Sequence, residues 1–97
     1  MKYVYLILIF IVFSFKALSQ PINDNCNGSI PLTVGSSCTF STYTNVNSTA
    51  SVAPVPGCGN YLGGDVWFSV TVPSSGHLIF DTQTPTGGLT DIAMAIY

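Results

Sequence analysis

Basic side chains are almost absent from this sequence of 97 residues, which contains two lysines and no arginine. Glutamate is missing too, and the acidic residues are Asp24, Asp65, Asp81 and Asp91. Both lysines lie within the first 16 residues, so without that segment the formal charge changes from −2 to −4. A chain without cationic side chains cannot neutralise phosphates, which excludes nucleic acid and anionic membrane surfaces as electrostatic partners of the remainder.

Residues of the common catalytic sites are also scarce. His77 is the only histidine, and a Ser–His–Asp triad needs a histidine held between a carboxylate and a nucleophile. Its position after Gly76, at a turn, indicates an ordinary exposed side chain. Two aspartates could form a glycosidase pair, but short hairpin strands do not build a cleft alone. We therefore expect no catalytic residues and no enzymatic activity.

No apolar run reaches the ~20 residues that a membrane-spanning helix needs. The run Tyr3–Phe15 follows a lysine and is interrupted only by a serine, and small residues follow at Ala17 and Ser19. This order of a basic start, a short apolar run and a small-residue cleavage site predicts a secretory signal peptide at residues 1–19. The alternative is an uncleaved membrane anchor. We expect a mature chain of residues 20–97, secreted or on the cell surface, without a membrane span.

The mature part holds all nine glycines and all six prolines and is rich in serine and threonine, which favours short strands and turns. The clearest strand is Asp65–Val72, where every second side chain is apolar. A turn at Pro73–Gly76 and a returning strand at His77–Thr82 complete a predicted antiparallel hairpin. Shorter strands are predicted at Ser29–Val34, Cys38–Thr44 and Asp91–Tyr97. Residues 45–64 form a long loop.

Three cysteines, Cys26, Cys38 and Cys58, lie in the exported part, where disulfides form. Their spacing lacks the C-x-x-C pattern of a metal site. The short separation of Cys26 and Cys38 predicts a disulfide between them, which leaves Cys58 for a partner outside this chain. The odd cysteine and the strand pattern that continues up to Tyr97 lead us to expect a longer protein. The alternative is a small exported protein.

Three stretches carry a resemblance to a known group of domains: NDNC, CGNYLGGDVWFSVTVPSSGHLIFD and TDIAMAIY. Together they resemble the β-sandwich modules of surface proteins exported by the type IX route, which are similar to the pre-peptidase C-terminal domain. The resemblance covers nearly all of residues 22–97. It implies an all-β, antiparallel, jelly-roll-like β-sandwich that is incomplete at its C-terminus. It also implies a non-catalytic module attached to a larger adhesin or hydrolase.

Candidate cation ligands stand at the entrances of predicted strands. Exported acidic domains often bind Ca²⁺ through carboxylate, amide and backbone oxygens, and here the candidates are Asp24, Asn25, Asp65 and Asp91. The sequence has no D-x-D-x-D-G loop. Aspartates before strands also commonly accept hydrogen bonds from turn amides, so both interpretations stay open.

Trp67, the only tryptophan, is a candidate for ligand stacking. In the predicted strand it shares the polar side with Asp65, Ser69 and Thr71, while the valines and Phe68 face the opposite way. An exposed indole there would stack on a sugar ring. We favour the other interpretation, in which loop 45–64 or further strands cover its ~200 Å² of surface.

These observations predict a non-catalytic extracellular binding or adhesion module of a larger secreted or cell-surface protein, with an extracellular glycan or protein as its partner. Two alternatives stay open: an accessory or spacer domain of a secreted hydrolase, and a small self-contained exported protein.

Overall fold

The part of the chain that the structure describes folds mostly without helices around one small β-sheet. The structure, a computed structural model, describes residues 18–52, 54–57 and 59–97. Almost all of the predicted signal peptide, and Cys58, lie outside the described residues. In the described part, no helix is both long enough and apolar enough to cross a membrane.

The regular elements are short. A 3₁₀ helix spans Cys26–Gly28, strand β1 spans Ile30–Leu32 and strand β2 spans Phe68–Val70. Both strands fall inside segments predicted as strands, so the β-rich class is compatible with the structure. A sandwich or jelly roll is not shown.

The two strands pair in parallel, with Ile30 opposite Phe68 and Leu32 opposite Val70. The Ile30 N–H donates to the Trp67 carbonyl at 3.1 Å. The sequence predicted instead that the neighbour of β2 would be the segment 77–82, running antiparallel. That prediction is wrong for the described structure, since segment 77–82 contains no strand.

Asn23 explains the parallel pairing. The Trp67 N–H donates to the Asn23 carbonyl at 2.8 Å, and the Asn23 side-chain amide donates to the Trp67 carbonyl at 3.0 Å. These bonds hold the N-terminal segment against the start of β2, and β1 follows seven residues later. Asn23 is 3% exposed, so its polar groups need these partners. A contact across 44 residues leaves no trace in local periodicity.

The turn predicted at Pro73–Gly76 is confirmed. The Gly76 N–H donates to the Pro73 carbonyl at 2.9 Å, and Gly76 has φ +72°, which glycine adopts without steric cost. The strands predicted at 38–44 and 91–97 are not formed in the structure. Alternation alone does not supply the neighbouring strand that an isolated segment needs.

No hydrophobic side chain of the described residues is buried, whereas Asn23 and Asp24 are. In the predicted sandwich, Val66, Phe68, Val70 and Val72 would pack on a second sheet. That packing is absent from the described residues, because a two-stranded sheet of three-residue strands covers little surface. Val70 is 38% and Val72 54% exposed. Phe68 makes an edge contact with Tyr43, with ring centroids 4.8 Å apart. Polar contacts therefore organise the described fold more than apolar burial does.

Candidate functional site

Asp65 is the centre of a polar cluster between loop 45–64 and the start of β2. Its Oδ1 accepts hydrogen bonds from the Ser51 N–H at 3.0 Å and from the Tyr61 hydroxyl at 2.6 Å. Its Oδ2 accepts from the Ser51 hydroxyl at 2.5 Å. Both carboxylate oxygens thus hold the loop, and an ionised carboxylate forms strong bonds of this kind.

The hydrogen bonds change the acidity of both partners. Burial alone would raise the pKa of Asp65, but the bonds from the Ser51 hydroxyl, the Tyr61 hydroxyl and the Ser51 N–H outweigh it, and the pKa is lowered. The pKa of Tyr61 is raised, chiefly because its hydroxyl donates to Asp65 and secondarily because of desolvation. The site therefore favours an ionised Asp65 beside a protonated Tyr61.

Trp67 contacts the same loop. Its indole Nε1–H donates to the Ser51 hydroxyl at 2.7 Å. The Tyr97 ring lies 5.5 Å from the indole, tilted by 36°, and the Tyr97 hydroxyl donates to the Pro54 carbonyl at 2.6 Å. Loop 45–64 therefore covers part of Trp67, which is half-buried.

Asp24 binds the same loop as Asp65 in the same way, two residues earlier in the loop. Its Oδ1 accepts from the Thr49 N–H at 2.5 Å and its Oδ2 from the Thr49 hydroxyl at 2.7 Å. Asp24 is only 4% exposed. Each aspartate thus binds both the amide and the hydroxyl of one loop residue, and those two residues, Thr49 and Ser51, are separated by one position. We call these four residues the carboxylate clamp.

The base of the loop is fixed by separate contacts. The Asn45 side-chain amide donates to the Gly64 carbonyl at 3.3 Å, and both the N–H and the hydroxyl of Ser48 donate to the Asn45 carbonyl. Gly63 and Gly64 have φ +86° and +75°, a region that residues with a Cβ rarely adopt. The chain therefore turns sharply just before Asp65, which places its carboxylate against the loop.

The structure brings together only part of the predicted cation site. Asp24 and Asp65 hold the same loop, while Asn25 and Asp91 are exposed. In the ranges that the structure describes, no three His, Cys, Asp or Glu side chains are grouped to hold a metal ion. The clamp is closer to the alternative in which aspartates accept hydrogen bonds from backbone amides, although its amides belong to a distant loop.

The other predicted site residues lie apart from the clamp. Cys26 and Cys38 are exposed and carry free thiols, so their pairing stays a prediction, and Cys58 falls outside the described residues. His77 is exposed, and its N–H lies 3.4 Å from the Ser75 hydroxyl. Ser51 has a carboxylate and an indole as neighbours but no histidine among its hydrogen-bond partners.

Sequence reasoning missed Thr49, Ser51 and Tyr61. Serine and threonine are so frequent in this chain that no single one stands out, and their partners lie 25 and 14 residues away. Comparisons with protein-family models, curated proteins and solved structures give no match. The carboxylate clamp and its aromatic neighbours are therefore the basis for the proposed function.

Proposed function

We propose that residues 20–97 form a non-catalytic binding or adhesion module of a larger secreted or cell-surface protein. The observation that carries this proposal is the carboxylate clamp. Asp24 and Asp65 each hold a loop of the same chain through both carboxylate oxygens. Tethering a surface loop on a scaffold is the usual way to build a recognition surface.

The surface beside the clamp suits an extracellular glycan or protein. Tyr97 is 66% exposed and stands next to the half-buried Trp67, and each donates a hydrogen bond to loop 45–64. Aromatic rings with a polar group at one end are enriched at interfaces, and hydroxyl and amide groups match the hydrogen bonding of sugars. The absence of lysine and arginine from residues 20–97 leaves neutral or cationic partners as the favoured class.

The proposal extends to the fold. The resemblance to β-sandwich modules implies further antiparallel strands, and the exposure of apolar side chains supports such a completion. Ile79, Ile92 and Ile96 are 94%, 44% and 86% exposed, and exposed apolar surface of this kind marks an interaction site or an uncovered core. We propose a jelly-roll-like sandwich in which additional strands cover these positions.

A spacer domain of a secreted hydrolase is the second candidate, and one observation favours it. The Trp67 indole N–H and one side of its ring are already engaged by Ser51 and Tyr97. An aromatic residue used in this way stabilises the domain and leaves less surface for a ligand. The two functions therefore differ in whether Tyr97 and Trp67 contribute to binding.

Binding to immobilised extracellular polysaccharides and to surface proteins tests the proposal. The full chain, expressed with its N-terminal segment and recovered after export, is compared with Trp67→Ala and Tyr97→Ala. We expect both variants to lose binding. Phe40→Ala is the matched control, because Phe40 is also an exposed aromatic residue, at 52%. Equal binding by Tyr97→Ala and the unaltered chain, or no binding by either, would favour the spacer.

A further inference from the structure

Within the described ranges no strand pairs with the outer edge of β2, and the hydrogen bonding shows which groups this edge presents. In a parallel pair, alternate residues of a strand bond towards the same neighbour. The Trp67 carbonyl accepts from Ile30 of β1, so the peptide groups of Trp67 and Ser69 face β1. Those of Phe68 and Val70 therefore face the opposite side. No described residue donates to them or accepts from them.

The outer edge of β1 is protected in a way that the edge of β2 is not. Pro31 lies opposite Ser69 in the register, and its nitrogen has no hydrogen to donate to a further strand. Proline and charged side chains are the usual means by which edge strands avoid pairing. The segment Val66–Val72 contains neither, nor any glycine. The sheet thus has one blocked edge and one edge that accepts a strand.

We propose that this edge pairs with the same edge of a second copy of the chain, antiparallel, about a twofold axis at Val70. In that register Val70 lies opposite its own copy and Phe68 lies opposite Val72. All three belong to the alternate set whose peptide groups face outward, so the contact is self-complementary, as a twofold interface requires.

The distribution of charge is compatible with a second copy at this edge and selects the antiparallel direction. The segment Val66–Val72 is uncharged, so two copies meet there without repulsion. Parallel pairing would set Asp65 beside Asp65 of the other copy, and like charges directly opposite one another destabilise a sheet. Antiparallel pairing separates the two carboxylates by about ten strand positions, or ~33 Å. The exposed side chains of Val70 and Val72 add apolar contact across the pair.

Sedimentation of the full exported chain over a range of concentrations tests the proposal. Parallel runs with and without a reductant separate strand pairing from disulfides between copies, since Cys26 and Cys38 are exposed. We expect a reversible dimer. Val70→Pro removes an N–H that β1 does not use, and Val70→Lys places a charge at the axis, so each weakens association by about tenfold or more.

Val34→Lys is the matched control, because Val34 is 40% exposed and Val70 38%, and Val34 lies outside the edge. It should leave the dimer intact. Amide hydrogen exchange gives a second measurement, in which Phe68 and Val70 become protected as the dimer forms. A dimer that both Val70 variants leave unchanged would overturn the proposal. A monomer at all concentrations would also overturn it. Protection of the Val70 and Ile79 amides in such a monomer would show that segment 77–82 pairs with the edge of β2 instead.

Discussion

Ser51 connects the charged and aromatic parts of the site. Its hydroxyl donates to Asp65 and accepts from the Trp67 indole, while its N–H bonds to the same carboxylate. A hydroxyl is both a donor and an acceptor, so the Ser51 hydroxyl links the Asp65 carboxylate to the Trp67 indole. A change at the carboxylate should therefore alter the hydrogen bond of the indole. The environment of Trp67 should therefore report the state of Asp65.

Replacing Asp65 by asparagine tests this link. The carboxamide keeps one acceptor but directs an NH₂ group at a donor from the loop, so we expect the free energy of unfolding to fall by about 1–2 kcal/mol. Trp67 is the only tryptophan, and its emission should shift to longer wavelength as the loop releases it. Asp81→Asn is the control, because Asp81 is exposed. Identical emission and denaturant midpoints in the two variants would contradict the role of Asp65.

The opposite pKa shifts of Asp65 and Tyr61 give stability a defined pH range. The lowered pKa of Asp65 means that its contribution is present above 3.8, the ordinary value for aspartate, and is lost as pH falls through the folded-state value. The raised pKa of Tyr61 means that its contribution is present below pH 10 and is lost as pH rises through its folded-state value. Urea midpoints followed by Trp67 fluorescence should fall at both extremes. Asp65→Asn should remove the acidic dependence, and an unchanged acidic limb in that variant would assign it to other groups.

At the scale of elements, the 3₁₀ helix depends on a close backbone approach. The Gly28 N–H donates to the Asn25 carbonyl at 2.9 Å, and a Cβ on Gly28 would collide with the carbonyl oxygen of Ile22. A backbone atom cannot move aside as a side chain can, so Gly28→Ala should destabilise the chain by about 1–3 kcal/mol. Gly57→Ala is the matched control, because a Cβ there meets nothing within 4 Å. Equal urea midpoints for the two variants would show that the segment accommodates the methyl group.

Local chemistry made some elements predictable and left others hidden. Pro73 and Gly76 mark their turn because proline fixes φ and glycine readily adopts a positive φ, and the alternation around Phe68 marks β2. The pairing of β2 was not predictable, because it depends on Asn23, 44 residues from Trp67. In the site, Asp24 and Asp65 were predictable as candidates because charged residues are rare. Their partners Thr49 and Ser51 were not, because serine and threonine are common in this chain. These partners are distant in sequence and meet only in the folded chain, so no periodic pattern in the sequence indicates them.

At the scale of the whole molecule, the proposed export would place the thiols in an oxidising environment. Cys26 and Cys38 are both exposed and accessible to oxidation, and closing a loop of this length contributes about 3 kcal/mol. We expect a Cys26–Cys38 disulfide in the exported protein. Mass mapping after chymotryptic digestion checks it, since residues 20–97 contain no lysine or arginine for trypsin. A peptide pair linking Cys38 to Cys58 would contradict this connectivity.

Net charge makes a second prediction at this scale. Residues 20–97 carry four aspartates and no lysine or arginine, so interactions between charged side chains are repulsive and salt screens them. Sodium chloride should therefore raise the melting temperature, by about 2–4 °C for each half kcal/mol of repulsion removed. Calcium chloride at matched ionic strength should act no differently, because Asp24 and Asp65 already bind the loop through both carboxylate oxygens. A larger rise in melting temperature with calcium would contradict this. If Asp65→Asn abolished that rise and Asp81→Asn did not, a cation would bind at Asp65 in place of the clamp.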